Sequence, residues 1–555
     1  MRFWGGEATG SLILSVLLLG SCPVWGRADE PVITFQDVTA TSKVAFQFYN
    51  GTRDRHDLPE IMGGGVGLID IDADGWLDIY LCDGGPIVPG TGVNDPPSRL
   101  FRSNRDGTFT DVTAIAHAPG PSYAMGVAAA DYDGDGRDDL FVTGWRDQRL
   151  YRNAGAGRFE DVTARAGLSS GLWSTSAAFA DLDGDGDLDL YVANYLEYDA
   201  AASPFCSAPD GRRDYCGPED FPAQPDRLYR NNGDGTFTDV SERAGVAAEQ
   251  GRGLGVLIAD LTGNALPDIY VANDGSPCWL FENLGGLRFR EVGLKAGVAL
   301  DDQGDPLAGM GVALGDLDGD GRDDLVVTNF HGRSTIAFQS RGNGLFADCS
   351  LAWGLPGLTR GVLGFGLALE DFDGDGRPDL FQVNGHVLDR ERLGVPFAMR
   401  PSLLRNEGGR FQDRTGGAGP WFEHRRLGRG LAVGDLDRDG RPDVVVNALD
   451  APASLLRNTT EAGHSWLTLD LAGQAPTLAV GARVRVSAGG RVIARQLAGG
   501  GSYLSASSPR LALGIGTVRR ADRVEVAWPS GRFDVWTNLD VGRVHRLAEG
   551  QGSGR

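Results

Sequence analysis

Apolar residues in this chain come in short stretches, and the same polar punctuation separates them repeatedly. A glycine-containing apolar stretch such as Ala124 to Ala130 runs into an aspartate cluster of the form D-x-D-x-D-G-x-x-D, and a second apolar stretch, Leu140 to Val142, follows. Copies of the cluster begin at Asp70, Asp131, Asp181, Asp260, Asp316, Asp371 and Asp435. Their spacing of roughly 60 residues is that of a propeller blade. A second pattern is interleaved with the first: L-Y-R-N, a glycine turn, then F-x-D-V-T. Its fullest copy is Leu228-Tyr229-Arg230-Asn231, Asn232-Gly233-Asp234-Gly235 and Phe237-Thr238-Asp239-Val240-Ser241. Asn-Gly and Asp-Gly between alternating residues signal a hairpin, because the turn needs positive φ angles that these residues tolerate. Each unit therefore reads as strand, aspartate loop, strand, outer loop, strand, glycine hairpin, strand and connector.

The closing F-x-D-V-T strand begins at Phe109, Phe159, Phe237, Phe289, Phe346 and Phe411, and no copy follows the last aspartate cluster. The missing copy stands at the other end of the chain, from Phe35 to Thr39. A circular array that borrows its last strand from the N-terminus hides two sheet edges that would otherwise invite aggregation. The predicted fold is all-β: a seven-bladed β-propeller over residues 33–460, closed by the N-terminal strand. A small β-domain follows over 461–550, where alternating strands continue without an aspartate cluster.

Composition agrees with a repeat array. A chain of 555 residues is too long for one ordinary core unless repetition builds it, and 83 glycines without a collagen period mean many tight turns. The formal net charge of -23 disfavours nucleic acid and anionic membrane surfaces, which reward Lys and Arg, and suits cation binding. The apolar run from Leu12 to Leu19 is too short to span a membrane and has the length of a signal-peptide core, giving a leader over 1–28. Leu19-Gly20-Ser21-Cys22 resembles a bacterial lipobox that would leave Cys22 lipidated, whereas Gly26-Arg27-Ala28 suits ordinary signal peptidase. The expected location is secreted, periplasmic or at the cell surface, with no transmembrane span. Beyond the leader stand Cys82, Cys206, Cys216, Cys278 and Cys349. Cys206 and Cys216, close together in a proline-rich loop, are the expected disulfide, with free thiols throughout as the alternative.

The aspartate cluster carries the clearest chemistry. In the second copy Asp131, Asp133 and Asp135 alternate, Gly136 permits the turn, Arg137 offers its carbonyl and Asp139 closes the site. Alternate carboxylates on a tight loop converge, and hard oxygen donors in a flexible cage suit Ca2+ better than Mg2+ or a transition metal. The corresponding ligands are Asp70, Asp72, Asp74, Trp76 and Asp78; Asp181, Asp183, Asp185, Asp187 and Asp189; and Asp316, Asp318, Asp320, Arg322 and Asp324. The last two copies offer Asp371, Asp373, Asp375, Arg377 and Asp379, then Asp435, Asp437, Asp439, Arg441 and Asp443. The fourth copy, Asp260, Thr262, Asn264, Ala265 and Asp268, keeps two carboxylates and lacks the turn glycine. Six strong Ca2+ sites and a doubtful seventh are expected. An EF-hand is excluded because Leu81, Val142 and Val192 stand where its closing acid belongs. Solvated acidic turns are the bland alternative, opposed by the mutual repulsion of packed carboxylates.

At these residues the chain resembles the FG-GAP/VCBS repeat proteins, whose blades also build the integrin α head. The lead-ins Gly311-Val312-Ala313 and Gly364-Phe365-Gly366 and the aspartate loops carry the match. The resemblance implies that the loops bind Ca2+ structurally. Gly481 to Val486, Gly499-Gly500-Gly501-Ser502-Tyr503-Leu504-Ser505 and Val524 to Gly531 are similar to the ASPIC/UnbV domain. Together the two halves look like the cartilage acidic protein family and its bacterial relatives.

Strand order puts the aspartate loops and glycine hairpins on one rim and the long loops on the other. Those long loops, 82–98, 195–226, 294–309 and 385–402, are the expected site of function. Trp145, Trp173, Tyr195, Tyr198, His331 and His386 are candidate contacts there for an extracellular protein or glycan, the alternative being that they pack over the blade tops. No G-x-S-x-G, H-E-x-x-H or P-loop is present, and no catalytic residue is assigned. The leading reading is a calcium-binding adhesion or binding module. The alternatives are a hydrolase or lyase acting on an extracellular polymer at the propeller face or channel, and a structural envelope component.

Overall fold

The computed structural model describes residues 32–52, 55–87, 98–208, 211–247, 251–461, 463–473 and 479–554. The leader expected over 1–28, with Cys22, lies outside the described residues. Strand pairing follows the repeat. Val66–Ile69, Asp78–Leu81, Arg99–Ser103 and Phe109–Asp111 form the first antiparallel sheet in chain order. Five further sheets of the same order open on Ala124–Ala130, Ser174–Ala180, Gly253–Ala259, Val312–Gly315 and Gly364–Glu370. In the last, Gly428–Gly434, Asp443–Ala448 and Ser454–Asn458 are completed by the N-terminal Phe35–Asp37, with Phe35 opposite Asn458 and Asp37 opposite Leu456. The opening strand of each sheet packs on that of the next, and Gly428–Gly434 packs on Val66–Ile69, so the sheets form a ring.

Apolar side chains on facing sheets fill the gaps between them, as where Phe141 meets Phe179 edge-on at 6.4 Å. A polar tie reinforces this packing. The Asn of L-Y-R-N is buried and donates to a carbonyl in the preceding sheet's aspartate loop: Asn153 to Ile71 O, Asn231 to Tyr132 O, Asn283 to Leu182 O, Asn406 to Leu317 O and Asn458 to Phe372 O, at 2.9–3.0 Å. Such a buried amide satisfies one carbonyl of the neighbouring loop and ties one sheet to the next.

The C-terminal region forms two small sheets. Trp466–Ala472 pairs with Leu511–Gly514 and, in parallel, with Val544–Ala548. Arg483–Ala488 lies between Arg491–Gln496 and Arg520–Ala527, and Phe533–Asp540 follows at the edge. Between these sheets the alternation of Val484, Val486, Val524 and Val526 with polar residues builds one core, together with Leu467, Leu469 and Trp528.

Residues 499–508 leave this core and run through the space enclosed by the ring, bonding to the opening strand of every sheet. Gly499 and Gly500 pair with Ile258 and Leu257. Ser502 exchanges backbone bonds with Val312, and its hydroxyl accepts from Leu367 N and donates to Leu431 O. Leu504 O accepts from Val127 N, while Leu504 N donates to the Ser176 hydroxyl. Ala506 exchanges bonds with Val66 and Leu68, and Ser508 N donates to Val433 O. Tyr503, fully buried, donates to Met62 O at 3.0 Å. Gly65 is required here, since a Cβ would collide with the Leu504 carbonyl. Residues 499–508 thus thread the channel in which an enzymatic site was one expectation, and a cavity lined by Ala128, Ala178, Leu257, Val312 and Leu367 remains beside them.

On the far rim the 195–226 loop is a cap. Cys206 and Cys216 are bonded, with Cα atoms 5.2 Å apart. Tyr198 donates to Asp57 Oδ1 (2.7 Å) and Tyr215 to Glu60 Oε2 (2.8 Å), in the segment preceding the first sheet. Arg252 reaches Pro218 O (3.0 Å), and Arg390 pairs with Asp214. One loop of the third sheet is thereby tied to residues of the first, fourth and sixth repeats.

Candidate metal centre

Each aspartate loop organises itself through its own carboxylates. In the second loop Asp131 accepts from Asp135 N (3.0 Å) and Gly136 N (2.8 Å), and Gly136 takes the φ of +85° that this turn demands. The closing Asp139 takes Asn153 N (2.6 Å) on one oxygen and Tyr132 N (3.1 Å) on the other, joining the loop to the third strand. Ligand oxygens of Asp131, Asp133 and Asp139 lie within 4.8 Å of one another, as do those of Asp70, Asp72 and Asp78, of Asp181, Asp183 and Asp189, and of Asp316, Asp318 and Asp320. Asp72 Oδ1, Asp133 Oδ1 and Asp371 Oδ1 are buried without a hydrogen-bond partner. Burial, and secondarily the neighbouring carboxylates, push Asp139, Asp189 and Asp324 up to about 8 and Asp78 up to about 7. Crowded, desolvated carboxylates with unused lone pairs are a donor set that fits a hard divalent cation.

The loop residues assigned as carbonyl donors at the seventh position also act through their side chains. Arg137, Arg322, Arg377 and Arg441 pair with Asp135, Asp320, Asp375 and Asp439, and Arg438 lies 5.5 Å over the Trp76 ring. Asp187 approaches Gly233 of the neighbouring hairpin. The arginine of L-Y-R-N was not anticipated as part of the site. Arg152 meets Asp133 at 2.6 Å, Arg230 meets Asp185 at 3.0 Å, Arg405 meets Asp373 at 2.6 Å, and Arg457 pairs with Asp437. Its signal in the sequence was its recurrence beside the invariable Asn or Ser of the third strand. In the fourth sheet Glu282 takes that place and pairs with Arg290 instead.

The fourth loop differs in kind. Ala265 adopts φ +67°, a left-handed conformation that costs a residue with a Cβ. Asp260 accepts from Ala265 N and from Arg483 of the C-terminal region (3.2 Å), which also reaches the Asp260 carbonyl at 2.8 Å. A guanidinium therefore sits against this loop.

On the far rim Trp145, Trp173, Tyr195, Tyr198 and His386 are buried, and only His331 is half-exposed. As surface contacts the five are corrected: they are buried in packing, Trp173 against Tyr195 at 5.2 Å and Tyr198 at 5.7 Å, and His386 against His331 at 5.8 Å. Large rings bury more apolar area there than they would present at a rim. Exposed instead are Phe205 on the cap and Leu393 on the adjoining loop, which the Arg390–Asp214 pair joins. Cys206, Cys216 and Asp220 also lie together, but their sulfurs are spent on the disulfide.

A ring of four-stranded sheets, with clustered carboxylates between the first and second strand of each, defines a β-propeller whose loops can hold metal ions. The FG-GAP-like repeat profile matches residues 70–142, 131–192, 209–271, 260–327 and 316–381, the FG-GAP repeat matches 427–467, and the ASPIC and UnbV profile matches 473–554. The chain belongs to the FG-GAP repeat family and carries a C-terminal ASPIC/UnbV domain. It is similar to cartilage acidic protein 1 of Homo sapiens, 28% identical over 320 residues that make 56% of this chain and 46% of that protein. The same protein of Mus musculus is 28% identical over 304 residues, 53% of this chain and 44% of the relative. The matched region thus spans under half of these relatives. An Agrocybe aegerita lectin, described as recognising non-reducing terminal N-acetylglucosamine, superposes with a TM-score of 0.38 at 19% identity, over 70% of this chain and 86% of that one. No helix among the described residues is long and apolar enough to cross a membrane.

Proposed function

We propose that this is an exported, calcium-dependent binding module that engages an extracellular protein through the rim opposite its aspartate loops. In this reading residues 1–28 are the leader, 33–460 form the calcium-binding propeller and 461–550 the closing domain. Six loops take Ca2+, and the fourth does not, because Thr262 and Asn264 leave it two carboxylates and its turn residue Ala265 is held at φ +67°. The observation that carries the reading is the distribution of surfaces. The C-terminal domain lies on the aspartate-loop rim and threads the channel, while the far rim displays Phe205 at 66% and Leu393 at 68% exposure on loops held by a disulfide and an ion pair. Large apolar side chains on preorganised loops lower the entropic cost of association.

Crosslinking capture by the calcium-loaded chain, repeated with Phe205→Ala and Leu393→Asp, tests the partner. Capture should fall with both substitutions, and capture that survives both sinks the assignment to this rim. Glycan-array binding with no protein captured would replace a protein partner by a glycan. For the ion, titration calorimetry should count six Ca2+ per chain, and chelation should lower the melting temperature by mass action.

A further inference from the structure

The aspartate loops are alike in sequence but not in surroundings. The fourth residue of the motif is exposed in six of them, as Ala73, Gly134, Gly184, Gly263, Gly319 and Arg438, whereas Gly374 of the sixth is buried. There Asp371 and Asp373 are 1% and 0% exposed. The covering atoms come from the C-terminal domain. Gly514 N donates to Asp371 Oδ2 at 2.9 Å, His464 Nδ1 lies 2.9 Å from the Asp373 carbonyl, and Arg491 reaches the Asp375 carbonyl at 3.2 Å. Trp466 closes over the top, so tightly that a Cβ at Gly374 would come within 2.8 Å of its ring. From the propeller side Arg405 is 5% exposed, against 34%, 42% and 45% for Arg152, Arg230 and Arg457. Asp371 Oδ1 is buried inside this enclosure without a partner.

We propose that the C-terminal domain is a lid on the sixth aspartate loop, so that a divalent cation bound there is enclosed and leaves only when the lid lifts. This rests on the cation-binding reading of the loops. Cations at the other loops exchange with solvent directly. The lid does not lift by local fraying, because Gly499 to Ser508 of the same domain are bonded to every sheet of the ring. It is a conformational gate on one site among several, and it makes the state of the sixth loop report whether the domain is docked.

The calcium-loaded full chain, mixed rapidly with excess fluorescent calcium chelator, reads release directly. One ion should leave at least about tenfold more slowly than the rest, the factor that one weak contact's worth of barrier imposes. Asp373→Asn should abolish that slow phase and leave the fast ones, and Trp466→Ala should speed it while the number of ions bound stays the same. Release in a single phase overturns the lid, and so does a slow phase that survives Asp373→Asn. A chain that takes up no calcium at all overturns the cation-binding reading instead. If Trp466→Ala fails to fold, His464→Ala removes a smaller part of the cover and should raise the slow rate in the same sense.

Discussion

At the scale of single residues, the recurring motif combines groups that hold the fold with groups offered to a cation, and the closing aspartates do both. The closing aspartates have both oxygens engaged by backbone N–H groups, and the third-strand asparagines link neighbouring sheets. Asn231→Ala would strip the donor from Tyr132 O (2.9 Å) and Leu188 O (3.1 Å). Orphaning buried acceptors costs about 1–3 kcal/mol. A lowered urea midpoint with unchanged m-value is the expected reading. Asp133, with a buried free oxygen, behaves differently: Asp133→Ala should remove one Ca2+ from the calorimetric count, whereas Asp260→Ala should leave the count intact. On the far rim, burial, then His331 and the Arg429 and Arg390 guanidiniums, push His386 down to about 4 from 6.5. Its ring is neutral when folded and takes a proton on unfolding, so its contribution is present above pH 6.5 and lost as pH falls through about 4. His386→Asn should flatten that acid limb in chemical-denaturation curves collected from pH 7 down to 4. The aspartates were legible because their spacing alone brings carboxylates together. Their arginine partners were not, because strand pairing across a hairpin decides which third-strand side chain reaches which loop.

Among elements, the strands and hairpins were legible, since apolar stretches bounded by Asn-Gly and Asp-Gly turns dictate them locally. The borrowed strand at Phe35–Asp37 was visible as a missing copy of one motif. Two elements escaped for a shared physical reason. A run such as Gly499-Gly500-Gly501-Ser502 has the composition of a linker, and nothing in it discloses that seven opening strands offer it unpaired backbone groups. The 195–226 loop likewise shows its disulfide but not the residues its tyrosines meet, which lie far away in sequence. The threaded segment should matter out of proportion to its length. Tyr503 is fully buried beside Phe365 at 5.0 Å and donates to Met62 O. Tyr503→Ala would open a cavity and orphan that carbonyl, a loss of about 3–5 kcal/mol for an aromatic truncation. Tyr503→Phe, which keeps the ring, should recover most of it. Equal losses for the two would place the stabilisation in the hydroxyl rather than in packing.

In the whole molecule, the two regions read from sequence as successive domains share bonds along the channel and across the aspartate-loop rim. The acidic side of that contact extends beyond the repeated motif: Asp138, Asp323 and Glu370 are additional carboxylates, desolvated and raised to about 7, 6 and 7, with Arg510, Arg495 and Arg483 of the C-terminal domain lowering them. An arrangement in which one domain supplies a strut to every sheet of the other cannot melt in halves. Lifting the C-terminal domain exposes the opening strands, and loosening the ring removes the strut's partners. Scanning calorimetry of the full chain should therefore give one endotherm whose calorimetric and van't Hoff enthalpies agree. Chelation should shift that single transition downward without splitting it, because the sixth loop lies under the lid and the remaining loops brace the same ring. Two transitions, of which only one moved with Ca2+, would mean that the C-terminal domain unfolds independently and that the bonds along the channel add little to the cooperativity of the fold.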